Sequence, residues 1–368
     1  MIQRFYIHNF RCLENFELPI ANLQSALLIG KNGVGKSTVG YALEILQNIG
    51  RGTNRIRDLI EPEDFTRGRA DVPMRFEIEV FLNSERYEYT LALELPKNFK
   101  ELRILEERLV VSGSPLYSRE HAQIYLQSDD HESKFLLDWH LVALPVIQTT
   151  LSDSDPLQVF KNWLTRMIIL NPIPSEMSGE SSKGTLEPEP DGSNFGEWFS
   201  GLLSRYPSAY SEVDKYLKGI MPDISNIQNP RVGKDLQTLM VRFQANKAAL
   251  DIYFEDLSDG EKCFFISAVV LAANNSYGPL FCFWDEPDNY LAFSEVGFFI
   301  TALRRSFESG GQFLATSHNY EAIRNFSPEN TFVLQRKSHL EPTVTRLLSD
   351  VSVTGDLENA MLLGDIGA

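Results

Sequence analysis

The stretch Gly30-Lys31-Asn32-Gly33-Val34-Gly35-Lys36-Ser37 fits the pattern G-x-x-x-x-G-K-[ST] of a phosphate-binding loop. The apolar run before it, Ala26 to Ile29, has the length and composition of a buried parallel strand. After it, apolar residues recur at helical spacing from Val39 to Ile49. The sequence therefore predicts a strand, a glycine loop and a helix, in that order.

Each residue type in this loop suits the binding of nucleotide phosphates. Glycines at positions 30, 33 and 35 let the backbone turn with its N–H groups inward and leave room for phosphate oxygens. Lys36 is predicted to reach the β- and γ-phosphates, and the Ser37 hydroxyl to ligate Mg²⁺. The alternative is a glycine-rich turn without a ligand, which the agreement of loop, strand and helix disfavours.

The composition of the 368-residue chain is that of an ordinary globular protein, with 43% hydrophobic and 23% charged residues. Cys12, Cys263 and Cys282 are not spaced as metal ligands, and we interpret them as core residues of a protein in a reducing compartment. The N-terminus lacks a signal-peptide pattern, and the longest near-apolar run is too short to span a bilayer. We therefore expect a soluble, cytoplasmic protein with no membrane partner.

The formal net charge of -16 argues against a protein that mainly coats nucleic acid. The net charge does not exclude a local basic groove, because six arginines lie within one short interval. Neighbouring carboxylates nearly cancel the positive charge of these arginines. DNA is therefore kept as an alternative partner, against a solvated surface of mixed charge. The six arginines are Arg51, Arg55, Arg57, Arg67, Arg69 and Arg75.

Three segments are expected along the chain: an N-terminal lobe over 1–98, an inserted mixed and helical subdomain over 99–235, and a C-terminal lobe over 236–368. Alternating strands over 74–82 and 87–95 predict a hairpin with its turn at 83–86. Apolar periodicity predicts a helix over 156–170. Residues 171–193, rich in Pro, Gly, Ser and Glu, predict a flexible surface loop.

Acidic residues and a histidine follow two apolar strands of the last third. The strand over 279–284 ends in Asp285 and Glu286, and the strand over 312–317 ends at His318. Two apolar strands with a helix between them indicate a parallel sheet, whose ligands bind beyond the carboxyl ends. Asp285 is predicted to hold Mg²⁺, and Glu286 to orient or deprotonate an attacking water. His318 is either a structural histidine or a γ-phosphate sensor.

Ser258-Asp259-Gly260-Glu261 precedes an apolar helix and has two compatible interpretations. The first is a capping box, in which Ser258 and Glu261 satisfy each other's backbone N–H groups. The second uses Ser258 and Gly260 at the same helix terminus to bind a γ-phosphate.

The order of these motifs resembles that of the ABC-type ATPases: the loop from Gly30 to Thr38 is similar to Walker A, Leu257 to Glu261 to the signature, Trp284 to Pro287 to Walker B, and His318 to the switch histidine. Within these, the chain resembles the SMC/RecF-like branch, and most closely the stand-alone ATPases akin to the overcoming-lysogenization-defect (OLD) nucleases. The resemblance implies an α/β fold: an ATPase head with a mixed sheet carrying the P-loop, an antiparallel β subdomain, and a helical subdomain inserted between Walker A and the signature.

The resemblance also implies ATP and Mg²⁺ as ligands and a homodimer, or higher homo-oligomer, in which two heads enclose two nucleotides. Each site would combine the P-loop, metal and catalytic residues of one subunit with Ser258 and Gly260 of the other. Lys36, Glu286 and His318 would be catalytic, and Ser37 and Asp285 would bind the metal. The remaining nucleotide-binding residues of the first subunit would be Gly30, Asn32, Gly33, Gly35, Thr38 and Arg11.

Two biological roles are consistent with the resemblance. Relatives that cut DNA carry a C-terminal TOPRIM nuclease domain, and only a short tail follows Leu348, so no nuclease is expected in this chain. The first hypothesis is that ATP-dependent dimer closure controls a separate effector, nuclease or toxin-like, as in bacterial anti-phage systems. The second is a RecF-like DNA-binding ATPase of repair and recombination. Glu286 argues against a nucleotide binder that does not hydrolyse ATP.

Overall fold

The computed structural model describes residues 1–128, 131–148 and 154–351. Its contacts divide the chain into two compact units. The first unit consists of Met1–Met167 and the described residues from Pro328 onward, and the second is Ile168–Ser327. These units differ from the three segments expected from the sequence, whose boundaries stay a prediction.

The strands of the described residues are short, as is usual in globular proteins. They are β1 (Ile2–His8), β2 (Phe16–Pro19), β3 (Ser25–Ile29), β4 (Met74–Leu82), β5 (Glu85–Glu94), β6 (Arg103–Val111), β7 (Ser114–Glu120), β8 (Gln123–Ser128), β9 (His131–Leu136), β10 (Ile168–Leu170), β11 (Glu180–Ser181), β12 (Ile224–Gln228), β13 (Gln237–Thr238), β14 (Met240–Ala245), β15 (Ala248–Tyr253), β16 (Phe281–Trp284), β17 (Gln312–Thr316), β18 (Thr331–Gln335) and β19 (Val344–Leu347).

The helices range from one turn to five. They are α1 (Lys36–Gly50), α2 (Ala143–Val146), α3 (Pro156–Thr165), α4 (Phe195–Arg205), α5 (Ala209–Ile220), α6 (Asp259–Tyr277), α7 (Phe293–Glu308) and α8 (Tyr320–Arg324). In the part of the chain that the structure describes, none of them combines the length and the apolar character that crossing a bilayer requires.

The first unit contains an eight-stranded antiparallel sheet in the order β2-β1-β4-β5-β6-β7-β8-β9. The predicted hairpin of β4 and β5 is confirmed, but its turn is shorter than expected. Leu82 pairs with Glu85, which leaves only Asn83 and Ser84 in the turn, both with positive φ. Two residues with positive φ give the turn a twist that matches the strands on either side.

One buried carboxylate, Glu107 of β6, ties the helix α2 to this sheet. Its oxygens accept hydrogen bonds from the backbone amides of Ala143 and Leu144, at 2.7 and 2.9 Å. They also accept from the hydroxyls of Tyr89 and Tyr117, at 3.2 and 2.8 Å. Burial raises the pKa of the Glu107 carboxyl, and the two backbone amides oppose that rise.

Three more strands of the first unit surround the glycine loop. The predicted strand before the loop is β3, which pairs in parallel with β18, and β18 pairs antiparallel with β19. The predicted helix after the loop is α1, and α3 packs against it. A hydrogen bond of 2.8 Å from the Thr165 hydroxyl to the Gly50 carbonyl fixes the ends of α1 and α3 to each other.

In the second unit, β10, β16 and β17 pair in parallel. The parallel sheet predicted from the two apolar strands, now β16 and β17, is therefore confirmed. Helix α7 connects β16 to β17. The helix predicted over 156–170 was wrong in its last residues, because Ile168 to Leu170 form β10 and are buried beside β16. A short run of buried aliphatic residues does not distinguish a helix end from a strand by periodicity alone.

The segment 171–193 is mostly irregular, as predicted for a loop, but it does not lie wholly on the surface; its flexibility stays a prediction. Met177 and Ser181 within it are buried, and β11 pairs with β13. The Pro174 carbonyl accepts a hydrogen bond of 3.1 Å from the buried ammonium of Lys262 on α6. Its composition indicated a lack of regular structure, but these contacts with distant residues hold the segment in place.

Candidate nucleotide-binding site

The glycine loop has a backbone that only glycine adopts without strain. Gly30 and Gly35 have φ values of 147° and 101°. A Cβ atom at Gly30 would lie 2.3 Å from the carbonyl oxygen of Leu334, and one at Gly35 would lie 2.7 Å from Cys12 Sγ. The positive φ angles and the close neighbours together explain why the loop requires glycine at both positions.

The side chains of the loop divide into buried and exposed groups. Lys36 is buried, and its Nζ donates a 3.0 Å hydrogen bond to the Gly30 carbonyl, so the ammonium folds back across the loop. Thr38 is buried with its Oγ1 3.7 Å from Cys12 Sγ. Asn32 and Ser37 are exposed. This arrangement places the Lys36 ammonium, the Ser37 hydroxyl and the start of α1 where an anionic ligand could bind.

A threonine far along the chain is hydrogen-bonded to the backbone of the glycine loop. The buried hydroxyl of Thr343, just before β19, donates a 2.7 Å hydrogen bond to the carbonyl of Val34. A peptide whose carbonyl is held on one side presents its N–H group on the other. Thr343 thus helps to fix the orientation of the loop's backbone, a role that no motif in the sequence indicates.

We expect the variant Thr343→Val to weaken ATP binding about three- to tenfold, the effect of losing one hydrogen bond. Equilibrium binding of a fluorescent ATP analogue measures this change. Thr90→Val is the matched control, since Thr90 is also a buried threonine of the first unit whose hydroxyl is hydrogen-bonded, to Arg108. Equal affinities for the wild type and Thr343→Val would contradict the supporting role.

Arg11 lies beside the helix that follows the loop. Its Nε donates a 2.8 Å hydrogen bond to Asp64, and its guanidinium lies 4.4 Å from the ring centre of Tyr41 on α1. The side chain is thus held by an acidic and an aromatic partner. Its assignment to the nucleotide stays a prediction.

In the second unit, the structure brings Asp285, Glu286 and His318 together at the ends of β16 and β17. The Glu286 carboxylate oxygen Oε1 lies 3.1 Å from His318 Nδ1. Its other oxygen accepts a 2.7 Å hydrogen bond from Asn289. The Glu286 side chain is 25% exposed and that of His318 is 55% exposed. A partly exposed carboxylate held by a histidine and an amide can bind and orient a water molecule.

Thr316 connects the two acidic residues. Its hydroxyl donates a hydrogen bond of 2.5 Å to Asp285 Oδ1 and accepts one of 2.9 Å from the backbone amide of Glu286. Sequence reasoning placed the strand correctly but did not identify this residue, because its role depends on the register between β16 and β17.

A third carboxylate, Asp288, is buried behind the pair. One of its oxygens accepts a 3.0 Å hydrogen bond from the Ser317 hydroxyl. The other oxygen, Oδ1, is buried without a hydrogen-bond partner among the described residues. Burial raises the pKa of the Asp288 carboxyl, and the bond from Ser317 opposes that rise.

The capping box at Ser258 is present. The Ser258 hydroxyl accepts a hydrogen bond from the Glu261 amide at 3.4 Å, and the Glu261 carboxylate accepts one from the Ser258 amide at 2.8 Å. Ser258 immediately precedes α6, Glu261 is the third residue of that helix, and Ser258 is exposed. The capping interpretation is therefore confirmed, and a phosphate contact by Ser258 and Gly260 stays a prediction.

Comparison with known proteins identifies the family. The family model described as "AAA domain, putative AbiEii toxin, Type IV TA system" matches residues 25–324. A protein of Thermus scotoductus called "OLD nuclease" is 35% identical over 65 residues, which are 18% of this chain. Those residues are only 12% of the relative, so the chain spans a small part of its length.

One of the similar solved structures shows the same fold. An SMC head bound to the C-winged helix domain of ScpA has a TM-score of 0.59 at 14% identity, over 98% of this chain and 99% of that one. A Pyrococcus furiosus Smc head bound to the C-terminal domain of ScpA has a TM-score of 0.49 at 14% identity, over 98% of each chain. The expected α/β ATPase-head fold is thus confirmed by the first of these likenesses. Because the family model matches most of the chain, the chain belongs to this AAA-domain family and is an ATPase.

Proposed function

We propose that the chain is an ATP-driven switch: two copies close on ATP, hydrolysis opens them, and the closure controls a separate effector. The observation that carries the proposal is the Glu286–His318 pair at the ends of two parallel strands, with Asp285 adjoining it. This arrangement suits hydrolysis of ATP rather than its mere retention, because it supplies a group that can activate water.

In this proposal Lys36 binds the β- and γ-phosphates, and the amides of Gly33 and Gly35 surround the phosphate oxygens. Asn32, Thr38 and Arg11 complete the nucleotide contacts of the same subunit. Glu286 orients or deprotonates the attacking water, and His318 holds the Glu286 carboxylate. The motif order shared with the resembled family supports assigning these groups to one nucleotide.

The residues proposed for Mg²⁺ fit that ion. Ser37 offers an exposed hydroxyl and Asp285 a carboxylate, and both are oxygen ligands of the kind that Mg²⁺ prefers. Among the described residues, no group of three or more His, Cys, Asp or Glu side chains forms a metal centre. This agrees with an ion bound by few protein ligands together with phosphates. When bound, Mg²⁺ would neutralise charge on the phosphates.

The second subunit is proposed to contact the nucleotide with Ser258 and Gly260. Ser258 is exposed at the start of the 19-residue helix α6, whose N-terminus favours an anion. We propose that this terminus binds the γ-phosphate of the nucleotide held by the other copy. Loss of that phosphate on hydrolysis would then separate the two heads.

The variant Ser258→Ala tests the shared site. We expect a loss of stability of about 1 kcal/mol from the cap, together with loss of ATP-dependent dimerisation and a fall in turnover. Ser258→Asn is the matched variant, since asparagine caps a helix as well as serine does but lacks the hydroxyl. Melting temperature, light scattering with ATP and phosphate release are measured together. If Ser258→Ala only lowers the melting temperature, Ser258 is a cap and nothing more.

The effector is proposed as a nuclease or a toxin-like protein in an anti-phage system of the cytoplasm. The resemblance to the stand-alone ATPases of anti-phage systems supports this. Affinity purification of the tagged chain from its native host, with ATP and then with ADP, tests the proposal. A partner retained only with ATP is the expected result, and the absence of any nucleotide-dependent partner contradicts it.

DNA binding is the weaker candidate, and the structure gives a reason. Arg67 and Arg69 both bind Glu14, and Arg75 is paired with two carboxylates, at 2.5 and 2.8 Å. Arginines paired in this way add little positive potential for a phosphate backbone. A RecF-like role would have to rely on other residues.

A further inference from the structure

We propose that Thr316 is a positioning residue of the ATPase site, whose single hydroxyl sets both the Asp285 carboxylate and the turn at Glu286. The inference rests on the proposed function, because it assigns Asp285 to the metal and Glu286 to the water. It adds a residue that belongs to none of the motifs in the sequence.

The register of the parallel strands places Thr316 beside Asp285. Trp284 of β16 pairs with Ala315 of β17, so the residues that follow them, Asp285 and Thr316, are also neighbours. Thr316 is fully buried, with 0% of its surface exposed, and Asp285 is 6% exposed. A hydroxyl and a carboxylate enclosed in this way interact strongly, because little water competes for either.

The hydroxyl acts in two directions at once. Its one hydrogen is donated to Asp285 Oδ1, and its lone pair accepts the amide hydrogen of Glu286. The first bond restrains the Asp285 carboxylate, which would hold Mg²⁺ in the proposed site. The second bond holds the amide of a residue whose backbone is in a strained conformation.

That strained residue is Glu286, with a φ of 50°. A left-handed conformation is uncommon for a side chain of this size and persists only where surrounding contacts maintain it. Here the conformation directs the Glu286 carboxylate to His318, at 3.1 Å. Thr316 therefore links the orientation of the metal ligand to the orientation of the water-activating group through one atom, its Oγ1.

The variant Thr316→Val removes the hydroxyl and keeps the shape of the side chain. We expect ATP affinity measured in EDTA to stay within about twofold, and the gain in affinity on adding Mg²⁺ to fall about tenfold or more, the effect of losing a hydrogen bond to a charged group. The Mg²⁺ concentration for half-maximal hydrolysis should rise by a similar factor, and kcat should fall about 10- to 100-fold. Thr316→Ser, which retains the hydroxyl, should restore the gain in affinity with Mg²⁺, the Mg²⁺ concentration for half-maximal hydrolysis and kcat.

Two further variants separate positioning from stability. Thr316→Ala also lacks the hydroxyl and is smaller, so it serves if the valine variant does not fold. Thr301→Val is the matched control, because it removes a hydrogen-bonded threonine hydroxyl from α7 of the same unit. Melting temperatures are recorded without nucleotide or metal. A purely structural residue would lower the melting temperature and leave the Mg²⁺ dependence unchanged.

The outcomes distinguish this inference from the proposed function. If the wild type hydrolyses ATP and Lys36→Ala does not, while Thr316→Val and Thr316→Ala show the wild-type Mg²⁺ midpoint, the positioning role is wrong and the proposed site stands. If the wild type shows no Mg²⁺-dependent ATP binding or hydrolysis, the proposed site itself is wrong. A raised Mg²⁺ midpoint in the valine and alanine variants, restored by serine, supports the role of Thr316.

Discussion

Glu286→Gln lowers ATP turnover by at least about 100-fold and leaves ATP affinity within about twofold of the wild type; this is the result we expect from losing a general base. Glutamine retains an oxygen for the hydrogen bond from Asn289, so the turn after β16 should be kept. Glutamine lacks the carboxylate that would accept a proton from water. Phosphate release and equilibrium nucleotide binding measure the two effects.

The same variant makes the proposed dimer observable. Without hydrolysis, the ATP-bound dimer should persist, so light scattering of Glu286→Gln should show twice the monomer mass with ATP but not with ADP. Glu308→Gln is the control, because Glu308 is an exposed glutamate at the end of α7, outside the site. Turnover of Glu286→Gln equal to that of Glu308→Gln would remove Glu286 from its proposed role.

Lys36→Ala should have the second large effect, a loss of ATP affinity of about 10- to 100-fold or more, because it removes a cation from the phosphates. The Lys36 ammonium is buried and directed across the loop, so no other side chain of the loop can take its position. Isothermal titration with ATP measures the loss.

The loop itself provides the control for this variant. Lys31 is exposed, only five positions before Lys36, and its replacement by alanine removes the same formal charge. We expect Lys31→Ala to weaken binding only about two- to threefold, as for an exposed charge screened by water and salt. Equal losses in the two variants would show that general positive charge, rather than the placement of Lys36, binds the nucleotide.

Features that depend on contiguous residues were predictable from the sequence. The strand, glycine loop and helix of residues 26–50 were found because their pattern is local, and so were the strands that end at Asp285 and His318. Thr316 and Thr343 could not be found in this way. Each acts through a hydrogen bond to a residue at least 30 positions away, at Glu286 and Val34, and no spacing rule reports such a contact.

The errors have the same origin. Residues 168–170 continue an apolar pattern that fits a helix, and only the neighbouring strand β16 makes them a strand. Residues 171–193 have the composition of a surface loop, but part of the segment is buried through contacts such as those of Pro174, Met177 and β11. In both places tertiary contacts decide the conformation against the local tendency.

The buried carboxylate of Glu107 has a consequence for how the first unit folds. A four-residue helix such as α2 has no stability alone, since nucleating a helix costs more than one turn returns. Its two amides find their acceptor only after β5, β6 and β7 have brought Tyr89, Glu107 and Tyr117 together. We therefore expect α2 to dock after these strands have paired, and the amides of Ala143 and Leu144 to be protected from hydrogen exchange only while that part of the sheet is closed.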